Sequence, residues 1–208
     1  MVGSAHNIPQ NEKGIQIGKT TQRAGVLKMN TNNILIINTS GNGIDLVLNG
    51  KFMHVDAEKQ AITLPTAVNN FLNAENVKMS DLSVIGVIVG PGSFTGIRMG
   101  IAYAKGLGIG LNIPVVGVNV FELYLYENPD AFVAIDSNRG DFFVASKIHA
   151  PCTMTIDEVE TEQMKCPMTV GHKPYNLMLA TNIVEDKIKN KKIEPVIPMY
   201  LRPSYAEK

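Results

Sequence analysis

The chain has 208 residues, 45% of them hydrophobic and 18% charged, with 19 basic against 19 acidic side chains. That length holds one large domain or two small lobes, and the balanced charge excludes an overall pull towards nucleic acid or an anionic membrane, leaving only local patches. The two cysteines, Cys152 and Cys166, form neither a CxxC pair nor a disulfide framework, and no stretch approaches the roughly 18 uninterrupted apolar residues of a spanning helix, so a soluble cytoplasmic chain with free thiols and no membrane contact is expected.

Residues 1–28 show no hydrophobic period and are rich in Gly, Asn, Gln and Lys, which predicts a disordered extension or a tail foreign to the protein, with Met29 as a second start. Within it, Gly14-Ile15-Gln16-Ile17-Gly18-Lys19-Thr20 falls one residue short of a phosphate loop and has no strand before it. From Asn33 the order is regular. Ile34-Leu35-Ile36-Ile37 reads as a buried strand; a turn with Gly41 and Gly43 leads to a second strand over 44–48, and Asn49-Gly50 is a hairpin signal into a third over 51–55. Residues 57–73 carry Ala61, Leu64, Val68, Phe71 and Leu72 at helical spacing, with Pro65 marking a kink or late start. A strand over 84–89, a helix to Gly110, a short strand over 114–118 and a helical piece over 120–126 complete a βββαβαβα lobe spanning 29–127.

Glu127-Asn128-Pro129-Asp130 marks the boundary to a second lobe, 128–208. Its first strand, Ala131 onward to Asp136, ends in Ser137-Asn138-Arg139-Gly140 and returns over 141–148. The pattern Ile37-Asn38-Thr39…Gly43 reappears as Ile135-Asp136-Ser137…Gly140, a weak internal duplication. Beyond it lie a short helix over 157–164, a strand over 168–171, a helix over 175–189 and an extended, proline-bearing tail over 195–203.

The stretch Gly90-Pro91-Gly92-Ser93-Phe94-Thr95-Gly96-Ile97-Arg98 organises the first lobe: a buried strand, a tight glycine turn, and a helix that Ser93 or Thr95 caps. Each interior glycine costs a helix about 1 kcal/mol against alanine, so Gly96, Gly100, Gly106, Gly108 and Gly110 need a reason. Gly96, Gly100, Ala104 and Gly108 fall four apart and make one smooth stripe. Gly90-x-Gly92-x-x-x-Gly96 is one residue too long for a dinucleotide fingerprint, and the glycines run past the reach of any phosphate. The stripe is therefore read as a docking surface, the alternative being packing wholly inside the chain. Ser93 is not in a nucleophile elbow, the four histidines form no metal pair, and Asp45, Asp136 and Asp141 sit where turns favour aspartate, so no catalytic, cofactor or metal residue is assigned.

Gly90 through Gly100, followed by Ala104-Lys105-Gly106-Leu107, closely resembles the signature of the TsaB (YeaZ) family. Ile37-Asn38-Thr39-Ser40, Ala134 through Gly140, and Pro198-Met199-Tyr200-Leu201-Arg202 resemble that family's first strand, second-lobe hairpin and tail. The resemblance implies an α/β fold of the actin/Hsp70-like (ASKHA, ribonuclease H-like) kind, with two related lobes and the second reduced. It implies a non-catalytic subunit in tRNA threonylcarbamoyladenosine formation that activates a TsaD-like threonylcarbamoyltransferase. A TsaE-like ATPase joins the assembly, tRNA contact is indirect or unknown, and a homodimer is expected when the chain is alone.

Carried onto this sequence, the family's pairing helices give Leu64, Val68, Leu72, Gly96, Met99, Gly100, Tyr103, Ala104 and Leu107 as the contact, with Arg98 and Lys105 at its rim. On that basis Gly100→Leu or Ala104→Arg is expected to abolish pairing and leave the chain folded. Two departures stand out: Asn38 replaces the usual acidic residue at the end of the first strand, and the His-Ser pair at the start of the first helix is absent around 56–60. The second functional reading is an independent ATP-binding phosphotransferase of the same fold, and the third a peptidase-like hydrolase.

Overall fold

A computed structural model describes residues 33–166 and 168–202; the extension over 1–28 and its phosphate-loop look-alike lie outside that range. The first five strands, β1 (Ile34–Asn38), β2 (Ile44–Leu48), β3 (Lys51–Val55), β4 (Val84–Ile88) and β5 (Val115–Val118), form one sheet in the order β3-β2-β1-β4-β5. β1, β2 and β3 are an antiparallel meander, while β4 runs parallel to β1 and β5 parallel to β4. β1 and β4 are buried at every residue, as the unbroken β-branched runs predict for strands covered on both faces.

Alternate residues of β1 supply two cores. Leu35 and Ile37 face α1 (Gln60–Ala74) and α2 (Phe94–Leu111), where Leu64, Val68, Phe71, Leu72, Ile97 and Ile101 meet them. Ile34 and Ile36 face the opposite layer, made by α3 (Val120–Glu127) and a last helix, α5 (Leu179–Lys189). α1 begins at Gln60 and runs through Pro65, which lies in its second turn. Asn119 caps α3 by accepting from the Glu122 amide at 2.9 Å, and the Glu122 carboxylate accepts from the Asn119 amide at 2.8 Å. That carboxylate also pairs with Lys187 at 2.6 Å, tying α3 to α5.

The second sheet repeats the first. β6 (Phe132–Asp136), β7 (Asp141–Ala145), β8 (Cys152–Thr155) and β9 (Thr169–Val170) stand in the order β8-β7-β6-β9. β6, β7 and β8 are an antiparallel meander, with α4 (Ile156–Gln163) leading on to β9, which is parallel to β6. Strand for strand this is the β3-β2-β1-β4 order again, so the duplication read from Ile37-Asn38 and Ile135-Asp136 extends through the whole meander. The two-sheet α/β fold is of the actin/Hsp70-like, ribonuclease H-like kind, with the second unit cut down: α4 has 8 residues where α1 has 15, and β9 only 2.

Two expectations change. β8 was not foreseen, because Cys152-Thr153-Met154-Thr155 is short and carries no strong alternation. A division at residue 128 also leaves α5 on the wrong side: Ala180, Ile183, Val184 and Ile188 are buried against the first sheet, so the chain crosses back after β9. Among the described residues no helix is long and apolar enough to cross a membrane.

On β3, His54 stands between two carboxylates, 2.6 Å from Asp45 and 3.2 Å from Asp56. The hydrogen bond to Asp45, and next that to Asp56, raise its pKa above the ordinary value. A raised imidazole stabilises the fold fully below the unfolded-state value near 6.5, and the contribution is lost as pH rises through the folded value. His54→Gln is therefore expected to lower the melting temperature more at pH 6 than at pH 8.5, by a small amount at this exposed site. Thermal melts of both proteins across that range check it, and an equal difference at both pH values would overturn it.

Candidate docking surface

The glycine turn leaves β4 and opens α2 with Ser93 as N-cap, its hydroxyl accepting from the Gly96 amide at 3.3 Å. The turn that follows β1 closes on it. The Ser93 amide donates to the Ser40 carbonyl at 2.7 Å, and the Thr39 hydroxyl donates to the Gly96 carbonyl at 2.7 Å. Asn38, Thr39 and Ser40 are all buried beneath this contact.

That contact accounts for the first stripe. A Cβ at Gly96 would overlap the Thr39 carbonyl oxygen, one at Gly100 the Thr39 hydroxyl, and one at Gly108 the Val115 side chain. Ala104 is fully buried. The glycines at 96, 100 and 108 thus admit the chain's own β1 turn and β5, and the reading of this stripe as an exposed docking surface is corrected. Leu64, Val68 and Leu72 are likewise core residues beneath α1. Six of the nine residues assigned to a partner contact are therefore occupied inside the chain, whereas Met99, Tyr103 and Leu107 are only partly covered. The accompanying expectation for Gly100→Leu and Ala104→Arg changes too: both would disrupt the monomer.

A second smooth stripe lies opposite. Ala102, Gly106 and Gly110 fall four apart and two residues out of step with Gly96, Gly100, Ala104 and Gly108; two residues turn a helix by about 200°, so one series faces the sheet and the other faces away. All three are exposed, and a Cβ at Gly106 or Gly110 would meet nothing within 4 Å. Met99, Tyr103 and Leu107 flank the stripe, and Ile109 is 83% exposed beside it. On α1, Ile62 is 73% exposed. Both glycines were visible in the sequence. What separates the two series is the contact of Gly96 with Thr39, 57 residues earlier in the chain, which periodicity alone does not carry.

The two rim charges have different surroundings. The Arg98 guanidinium carbon lies 3.8 Å from the centre of the Phe94 ring and 5.3 Å from that of Tyr200, and its Nε donates to the Tyr200 hydroxyl at 2.5 Å. Lys105 borders a shallow recess of about 460 Å³ with Ile109, Asn112 and Pro114 at the far end of α2.

The end of β1 holds a polar network that single-residue reading missed. Asn38 Oδ1 accepts from the Ser40 amide at 3.0 Å and its hydroxyl at 2.7 Å, while Nδ2 donates to Asp45 at 2.9 Å and to the Tyr175 hydroxyl at 3.1 Å. Both acceptor sites and both donor hydrogens of the amide are used. Tyr175, whose phenol is raised chiefly by burial, closes this end of the sheet and stacks edge-on against Tyr124 at 5.9 Å. The departure at Asn38 follows physically: an aspartate would lose both donors and face the Asp45 carboxylate in a buried position. Asn38→Asp is expected to destabilise the fold by roughly 1–3 kcal/mol at pH 7.5. Its carboxyl, raised by the like charge and by burial, favours folding only when protonated, so the deficit relative to the parent shrinks as pH falls. Urea titrations at pH 5 and 7.5 check the sign; a pH-independent deficit would count against this account.

The family model described as "TsaD: tRNA N6-adenosine threonylcarbamoyltransferase" matches residues 55–201. A tRNA N6-adenosine threonylcarbamoyltransferase of Thermosipho melanesiensis is 32% identical over 79 residues, covering 38% of this chain and 24% of that protein. The tRNA threonylcarbamoyladenosine biosynthesis protein TsaB of Escherichia coli is 35% identical over 75 residues, covering 36% of this chain and 32% of its own length. The chain spans less than half the length of these two curated relatives. Among solved structures, YeaZ from Pseudomonas aeruginosa superposes with a TM-score of 0.63 at 17% identity, covering 82% of this chain and 100% of that one, which shows the shared fold. With the model matching most of its length, the chain belongs to the family of tRNA N6-adenosine threonylcarbamoyltransferase (TsaD) and its TsaB (YeaZ) relatives.

Proposed function

We propose that this chain is a non-catalytic subunit of tRNA threonylcarbamoyladenosine formation, which pairs with a TsaD-like threonylcarbamoyltransferase through the outer face of α2 and thereby activates it. The observation that carries the reading is the exposed stripe Ala102, Gly106 and Gly110, flanked by Met99, Tyr103, Leu107 and Ile109. Exposed glycines cost a helix about 1 kcal/mol each and stabilise nothing within the chain; they let another helix approach closely. The bonded-up amide of Asn38, where a carboxylate would stand in a catalytic relative of the fold, supports a non-catalytic role. A TsaE-like ATPase joins the pair, tRNA is reached through the partner, and the work is done in the cytoplasm. Alone, the chain covers the same face with a second copy.

The test is reconstitution with the TsaD-like enzyme of the same organism. Co-expression is expected to give one co-eluting complex, and threonylcarbamoyladenosine formation on tRNA is expected to need both chains. Separate elution, with modification unchanged when this chain is omitted, would overturn the proposal.

A further inference from the structure

The extended tail ties two distant parts of the molecule within four residues. Val196 is buried against the first sheet, and the Met199 amide donates to the Val89 carbonyl at 2.8 Å, just beyond the end of β4. Tyr200 then turns to the first lobe, its ring 5.1 Å from Phe94 and its hydroxyl accepting from Arg98, so it lies on the first two turns of α2. Met199 and Leu201 pack against the cluster formed by Phe121 of α3 and by Val133 and Ala145 of the second sheet. Arg202 completes the crossing. Its guanidinium pairs with the Asp141 carboxylate, donates to the Ser137 hydroxyl at 2.6 Å and lies 5.3 Å from the centre of the Phe143 ring.

Tyr200, held by the first lobe, and Arg202, held by the β6–β7 hairpin, are two residues apart. Two extended residues reach about 7 Å and have no slack to absorb a displacement. Both anchors are polar and partly exposed, so each opens more readily than the apolar core. We propose that residues 199–202 are a strap that couples the start of α2 to the β6–β7 hairpin, so that releasing either anchor loosens the other lobe's anchor. The coupling is a property of the chain by itself and does not depend on any partner.

Hydrogen–deuterium exchange of the full chain tests it. Arg202→Ala removes the charged hydrogen bonds at the hairpin and is expected to speed amide exchange by about tenfold both at 137–143 and, in the other lobe, at 94–101. Arg98→Ala is expected to do the reverse, speeding exchange at 137–143. In both variants β1 and β2 keep the parent rates. Faster exchange confined to the mutated anchor would overturn the strap, because the tail would then be two independent attachments. Should Arg202→Ala raise exchange throughout β1 and β2 as well, Arg202→Lys decides at the same two segments. It keeps the charge and loses the fork and the ring contact. A rise at both segments supports the coupling, and any other pattern in that variant overturns it.

Discussion

Gly96→Ala is expected to destabilise the fold by about 3 kcal/mol or more, whereas Gly106→Ala, ten residues further along the same helix, is expected to stabilise it by up to about 1 kcal/mol. The substitution is chemically the same, and the helix propensity it gains is the same. What differs is the space. At position 96 the added methyl would overlap the Thr39 carbonyl oxygen, a backbone atom that no rotamer change moves aside. Either the β1 turn or the first turn of α2 must shift, and with it go the Thr39 hydroxyl bond to the Gly96 carbonyl and the Ser93 amide bond to the Ser40 carbonyl. Thr39, Ser40 and Gly96 are buried, so a bond lost there leaves an unpaired polar atom out of water. At position 106 the methyl meets nothing within 4 Å, and only the propensity remains. Urea denaturation of the two variants beside the parent measures both signs. If Gly96→Ala cost less than 1 kcal/mol, the packing of the β1 turn against α2 would be misjudged.

The same pair of positions shows how far the sequence reads and where it stops. Strands β1 to β5 were legible because Ile34-Leu35-Ile36-Ile37 and Val84-Ile85-Gly86-Val87-Ile88 are short apolar runs closed by turn residues, and Asn49-Gly50 fixes a hairpin. The repeat was legible only at its first hairpin. Its third strand, Cys152-Thr153-Met154-Thr155, is half-buried at the edge of a sheet and lacks the alternation that would announce it. The return of α5 to the first sheet was not legible either. The spacing of Ala180, Ile183, Val184 and Ile188 says that one face of the helix is buried, but not against which layer. At the site, two series of small residues lie in α2, and periodicity alone gives both the same weight. Deciding which one faces inward requires knowing that Thr39, 57 residues before Gly96 in sequence, sits beneath it. The network around Asn38 hides for the same reason: Tyr175 is 137 residues away.

Gly106→Arg separates the two faces of α2 in the other direction, through pairing rather than folding. The position is exposed and unobstructed, and arginine is a better helix former than glycine, so the monomer should keep or slightly gain stability. On the proposed docking face, however, the same side chain stands where a partner helix must come close. A long charged group there either holds the helices apart or buries a guanidinium without a partner, and the loss is expected to weaken pairing with the TsaD-like enzyme by more than about a hundredfold. Ala102→Arg, one turn earlier on the same stripe, should do the same, while Gly106→Ala should retain pairing because a methyl still permits close approach. Calorimetric titration against the purified enzyme, with a melting curve for each variant, keeps folding and docking apart. A folded Gly106→Arg protein that pairs as tightly as the parent would remove α2's outer face from the interface. The exposed Ile62 on α1 would then be the next surface to alter.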